Sequence, residues 1–80
     1  INVYPNPTKG SVIINALALN GLNYSVEVKN VLGQTLISKT IKNASEHFET
    51  IDMSTLSKGV YFINFIYDNK QLATKKIIVE

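Results

Sequence analysis

The sequence predicts an all-β domain: a small antiparallel, immunoglobulin-like sandwich of about seven strands. Three observations carry that expectation. Tyr24, Val26 and Val28 alternate with Ser25, Glu27 and Lys29, the period of a strand with one buried face. Turn-forming residues punctuate the chain about every 8–12 residues. No stretch has a helical period long enough to stand as a helix of independent stability. A small barrel is the alternative closure of the same strands.

The first strand is a short extended piece, Val3-Tyr4, followed by Pro5-Asn6-Pro7. Each proline fixes its φ, lacks a backbone donor and pushes the preceding residue toward extended geometry. The segment therefore reads as a stiff lead-in that cannot join a central ladder. Asn6, held between the prolines, is expected to bond the neighbouring backbone. After Gly10, Ser11 to Ala16 is rich in β-branched residues and predicts the second strand. Tyr24 to Lys29 is the third. Asn30-Val31-Leu32-Gly33 predicts a tight turn, with Gly33 at positive φ and Leu32 as its anchoring side chain. The strand Gln34 to Lys42 then returns, so the third and fourth strands form a hairpin.

Asn43 to Glu46 reads as a polar bend and His47 to Ile51 as the fifth strand. Met53 to Ser57 predicts a single turn capped by Asp52 or Ser54. Gly59 ends it. Val60 to Tyr67 (VYFINFIY) is apolar on both faces and predicts a central strand buried on two sides. Asp68-Asn69 is a two-residue hairpin connection, because both residues tolerate positive φ. Gln71 to Val79 is the seventh strand.

Eighty residues make one domain, and a chain this short buries a thin core. With 45% apolar residues it is a folding sequence. It has no cysteine, so stability rests on packing and the strand ladder. Eight basic and six acidic residues leave a net charge of +2, and there is no arginine. That balance speaks against a nucleic-acid reader. No apolar run is long enough to span a membrane as a helix, and the domain is expected to be monomeric. The chain starts at Ile1 without a signal peptide, which reads as a piece of a longer protein.

Catalysis needs a nucleophile or an acid–base pair held together. His47 is the single histidine and reads as an exposed strand residue near Glu46 and Glu49. The carboxylates are scattered, with no calcium-loop spacing, and no glycine-rich phosphate loop is present. The expectation is a non-enzyme without metal or cofactor. Asn23-Tyr24-Ser25 and Asn43-Ala44-Ser45 fit the N-x-S acceptor pattern, which is common by chance. Most aromatic residues read as core, with exposure of alternate tyrosines left open.

Three motifs stand in order: VYPNPTKG before an apolar strand, NVLGQTL at the hairpin, and IDMSTLSKGVYFINF leading into KQLATKKIIVE. Together they resemble the C-terminal sorting domain (type A) of type IX secretion cargo from Bacteroidetes, over essentially the whole chain. Residue by residue, the resemblance places Tyr4, Pro5, Asn6, Pro7 and Gly10 in the first motif. It places Leu32 and Gly33 in the second, where Gln34 stands at a position that often carries a basic residue. Leu56, Gly59 and Tyr61 form the third, and Lys75 and Lys76 lie in the last strand.

The resemblance implies a sorting signal. Its passenger crosses the periplasm and leaves through the outer-membrane translocon with the help of a shuttle protein. A sortase-like peptidase then removes the domain and attaches the passenger at the cell surface. Lys70, Lys75 and Lys76 either guard an edge strand against aggregation or mark it for strand addition by a partner. Leu56, Gly59 and Tyr61 read chiefly as structural, with the Tyr61 hydroxyl bonded. The competing reading is a non-catalytic accessory module that binds carbohydrate or protein.

Overall fold

Alternation of buried and exposed side chains, strict along Val12–Ile14 and Tyr24–Val28, builds two inner faces that close on one another. The computed structural model describes residues 1–42 and 48–80, so the polar bend at Asn43 to Glu46, His47 and the second N-x-S site lie outside the described residues. Seven strands are formed: β1 (Asn2–Tyr4), β2 (Ser11–Asn15), β3 (Tyr24–Lys29), β4 (Thr35–Ile41), β5 (Phe48–Asp52), β6 (Gly59–Tyr67) and β7 (Lys70–Val79). One sheet has the order β1-β2-β5 and the other β4-β3-β6-β7. Every pairing between these strands is antiparallel. The chain is therefore a β-sandwich of the immunoglobulin-like kind.

Val12, Ile14 and Ile51 from the first sheet meet Val26, Val28, Ile63, Phe65 and Ile77 from the second, all buried. Met53 and Leu19 plug the core from the connecting segments. Leu19 ends a 3-10 turn, Leu17–Leu19, in the β2–β3 connection. The sequence predicts no helical element there. Three residues carry no detectable period, and the turn is held by the burial of Leu19.

The expected hairpins are present. Asp68 and Asn69 both take positive φ, 53° and 60°, between the paired residues Tyr67 and Lys70. β6 differs from expectation in one respect. It is central in its sheet, between β3 and β7, and its inner residues Tyr61, Ile63 and Phe65 are buried. Its outer residues Val60, Phe62 and Ile66 are only half-buried. The domain has two layers, so nothing stacks on that second face. Asn64 is buried there and accepts a hydrogen bond from Thr74 Oγ1 at 2.8 Å.

A sandwich has two open sides, and different devices close them. On one, Lys39 of β4 reaches β5, with Nζ 3.2 Å from Glu49 Oε2 and 3.3 Å from the Thr50 carbonyl. On the other, the β1–β2 loop crosses to the edge of β7. That crossing forms part of the candidate site.

Candidate functional site

The proline-fixed loop, residues 5–10, leaves β1 in one sheet and lies along β7 in the other. Both the Tyr4-Pro5 and Asn6-Pro7 peptide bonds are cis. The Asn6 side chain does not bond its neighbours, as its position between prolines suggested. It bonds backbone 70 and 72 residues away: Nδ2 donates to the Lys76 carbonyl at 2.9 Å, and Oδ1 accepts from the Ile78 N–H at 3.0 Å. A primary amide offers one donor and one acceptor on the same side, as a strand backbone does. Asn6 thus stands in for a neighbouring strand where prolines could not.

Thr8 continues the line with a parallel bridge to Val79. Its N–H donates to the Ile78 carbonyl at 2.9 Å, and its carbonyl accepts from the Glu80 N–H at 2.8 Å. The Thr8 side chain is buried. Its hydroxyl donates to the Ser11 carbonyl at 2.7 Å and accepts from the Gly10 N–H at 3.2 Å. The expectation that the lead-in avoids a central ladder holds, because β7 is an edge strand. The C-terminal half of that edge is sealed by the chain itself.

The Met53–Ser57 segment is bound to this loop, since the Met53 N–H donates to the Gly10 carbonyl at 3.1 Å. Asp52 supplies the cap, accepting from the Ser54 N–H at 2.9 Å. Hydrogen bonds from the Ser54 side chain and backbone hold the Asp52 carboxyl below the usual carboxylate range. Leu56 is half-buried against the core. The Tyr61 hydroxyl donates to the Ser57 carbonyl at 2.6 Å, which ties β6 to the turn before it. Gly59 begins β6 opposite Val79 with φ 157°, a backbone conformation that residues with a side chain rarely adopt.

The hairpin turn between β3 and β4 is organised by Asn30 rather than by Leu32. Asn30 Oδ1 accepts from the N–H groups of Leu32 and Gln34, both at 3.0 Å. Asn30 Nδ2 donates to Gln34 Oε1 at 2.8 Å. Two backbone bonds between Asn30 and residues 33 and 34 complete the turn, with Gly33 at φ 83°. Leu32 was expected to anchor the hairpin, yet it is 80% exposed, and Val31 is 70% exposed. The turn lies beyond the end of the sheet, so no layer is present to receive either side chain.

Lys75 is half-buried on the inner-facing side of β7, in register with Ile63. Lys76 is exposed on the outer face, in register with Phe62. Tyr4 is exposed and pairs across the ladder with Ile13 on the outer face of the three-stranded sheet.

The register brings most of these positions to one end of the sandwich. Lys29 stands opposite Phe62, so the 30–34 turn projects beside the start of β6. Gly59 stands opposite Val79, Thr8 bridges Val79, and Ser11 stands opposite Asp52. The stretches 5–10, 53–61 and 76–80 are therefore joined, and 30–34 lies at the same end, although all are far apart in sequence. A shallow depression at the opposite end, lined by Asn23, Tyr24, Thr40, Ile66 and Asp68-Asn69, contains none of them. Burial in that region, and secondarily the Glu49 charge, raises the Tyr24 hydroxyl above its ordinary pKa of 10.0. Among the described residues no three of His, Cys, Asp and Glu converge as metal ligands would.

Comparison with known families decides between the readings. Residues 2–80 match the model of the secretion system C-terminal sorting domain. The chain belongs to that family. No curated protein matches the chain. A sorting domain of this kind is the C-terminal signal for type IX secretion, and it implies a protein exported to the cell surface or extracellular space. Such domains are in general non-catalytic. The accessory binding module is not favoured.

Two residues that organise the motif-bearing end escaped the sequence reading. Thr8 follows Pro7 and passes for loop punctuation, and nothing local shows that it is buried. Asn30 did carry a signal: an Asn three residues before a Gly between alternating strands fits a side-chain-bonded turn.

Proposed function

We propose that the sorting domain closes a longer exported protein and is read in its folded state at its motif-bearing end. After passage through the periplasm, the outer-membrane shuttle and translocon engage that end. A sortase-like peptidase then cleaves the domain from its passenger and leaves the passenger at the surface. The observation that supports this is the convergence of four separated stretches on one end of the sandwich. Of the motif residues there, Pro5, Asn6, Pro7, Leu32 and Gly33 are exposed, while Leu56, Gly59 and Tyr61 hold the turn beneath. A rigid surface already formed before contact loses little conformational entropy on binding.

The test is export of a reporter carrying a Sec signal and ending in residues 1–80, in a host with the type IX machinery. The reporter is expected outside the outer membrane. A folded, protease-resistant fusion that stays in the periplasm would defeat the reading. Loss of the domain's mass from the exported reporter, dependent on the host's peptidase, tests the cleavage step.

A further inference from the structure

Val31 and Leu32 are among the most exposed large apolar side chains in the described residues, and they sit side by side at the tip of a hairpin. Hairpin tips are ordinarily polar, and the fold gains nothing from these two. Neither belongs to the core or packs against it. The tip is also unusually well fixed. The Asn30 side chain makes three hydrogen bonds within it, and two backbone bonds close it. Gly33 takes the left-handed conformation that lets the tip stand out from the sheet. An aliphatic pair presented to solvent on a hydrogen-bonded backbone has the form of an interface anchor, with little backbone entropy left to lose on insertion.

We propose that Val31 and Leu32 insert as a pair into an apolar socket on a protein component of the export machinery. The inference rests on the sorting reading and specifies the contact it requires. Two features favour a protein socket. The amides beside the tip, Asn30 and Gln34, already bond one another, which lowers the cost of bringing them to the rim of a pocket. Lys29 precedes the turn and Lys58 immediately precedes β6 at the same end of the sandwich, and neither has an ion-pair partner among the described residues. They call for carboxylates at the rim of the socket. A lipid surface rewards apolar area, and two aliphatic side chains supply little of it.

The experiment uses the reporter fusion with Leu32→Ser, Val31→Thr/Leu32→Ser and Asn30→Ala, beside Leu17→Ser as a control. Leu17 is 65% exposed and lies in the β2–β3 connection, outside the motif-bearing end. The tip variants with Leu32→Ser are expected to keep the wild-type urea midpoint and to lose about tenfold or more of export, as for an interface hot spot. Leu17→Ser is expected to export normally. Asn30→Ala, which keeps both aliphatic side chains but loosens them, is expected to fall between. A photo-crosslinking side chain at position 32, but not at 17, is expected to capture an identified outer-membrane component of the machinery.

Wild-type export of Leu32→Ser with an unchanged midpoint overturns the inference and leaves the sorting reading intact. Failure of the wild-type fusion to export overturns the sorting reading and the inference with it. Flotation of the isolated domain with phosphatidylethanolamine–phosphatidylglycerol vesicles, lost in Leu32→Ser, would replace the protein socket by a lipid contact and so overturn the proposal.

Discussion

At the scale of single residues, the instructive contrast is between Asn6 and Leu32. Both are exposed motif residues, yet only Asn6 makes contacts that hold the fold. Its amide replaces two rungs of a ladder on the edge of β7. Asn6→Ala is therefore expected to lower unfolding free energy by about 1–2 kcal/mol, the usual net value of two hydrogen bonds near solvent. Urea denaturation measures it directly. A change below about 0.5 kcal/mol would show that water replaces the amide without loss. This residue also shows where sequence reading ends. The prolines made a stiff, exposed lead-in legible. The partner backbone of Asn6 lies at Lys76 and Ile78, and no local rule reaches across that separation.

At the scale of elements, strand identity was legible because Tyr24 to Lys29 alternates with period two and Val60 to Tyr67 is a short continuous apolar run bounded by Gly59 and Asp68-Asn69. What escaped was the environment of a face. Val60, Phe62 and Ile66 are apolar and read as fully covered, but a two-layer domain leaves them half-exposed beside Lys29 and Lys76. Composition reports which residues can be buried; the number of layers decides which ones are.

The Met53–Ser57 turn was read correctly as a single capped turn, and its cap gives it a pH response. Hydrogen bonds from Ser54 lower the Asp52 pKa in the folded state below its ordinary 3.8. The unfolded chain then binds the proton more readily, so this contribution is present above about pH 4 and lost as pH falls through the folded value. Asp52→Asn keeps an acceptor for the Ser54 N–H but cannot titrate. Its stability is expected to be flatter than wild type as pH falls below the ordinary carboxyl value of 3.8. Parallel urea titrations across that range check the slope. Identical slopes would assign the acid response to other carboxylates.

At the scale of the whole molecule, β7 is the strand on which both sheets depend. It ends with Ile77 and Val79 in the core, and its outward backbone at Lys76, Ile78 and Glu80 holds the loop that leaves the other sheet. Removing residues 77–80 would therefore delete two core side chains and unfasten residues 6–8 at the same time. Loss of two buried aliphatic residues alone costs about 4–8 kcal/mol by analogy with large-to-small core substitutions. Domains of this kind hold about 5–15 kcal/mol in total, and a chain of 80 residues sits toward the lower part of that range. The truncated domain is expected to be unfolded at room temperature, with dispersed amide resonances and protease resistance both lost. Leu32→Ser removes no core contact and is expected to retain both. If the truncated chain stays folded, the bridge between Thr8 and β7 is not what closes this side of the sandwich. If it unfolds, export lost on truncation and export lost at Leu32 have different causes: one destroys the signal, and the other leaves a folded signal whose tip has changed.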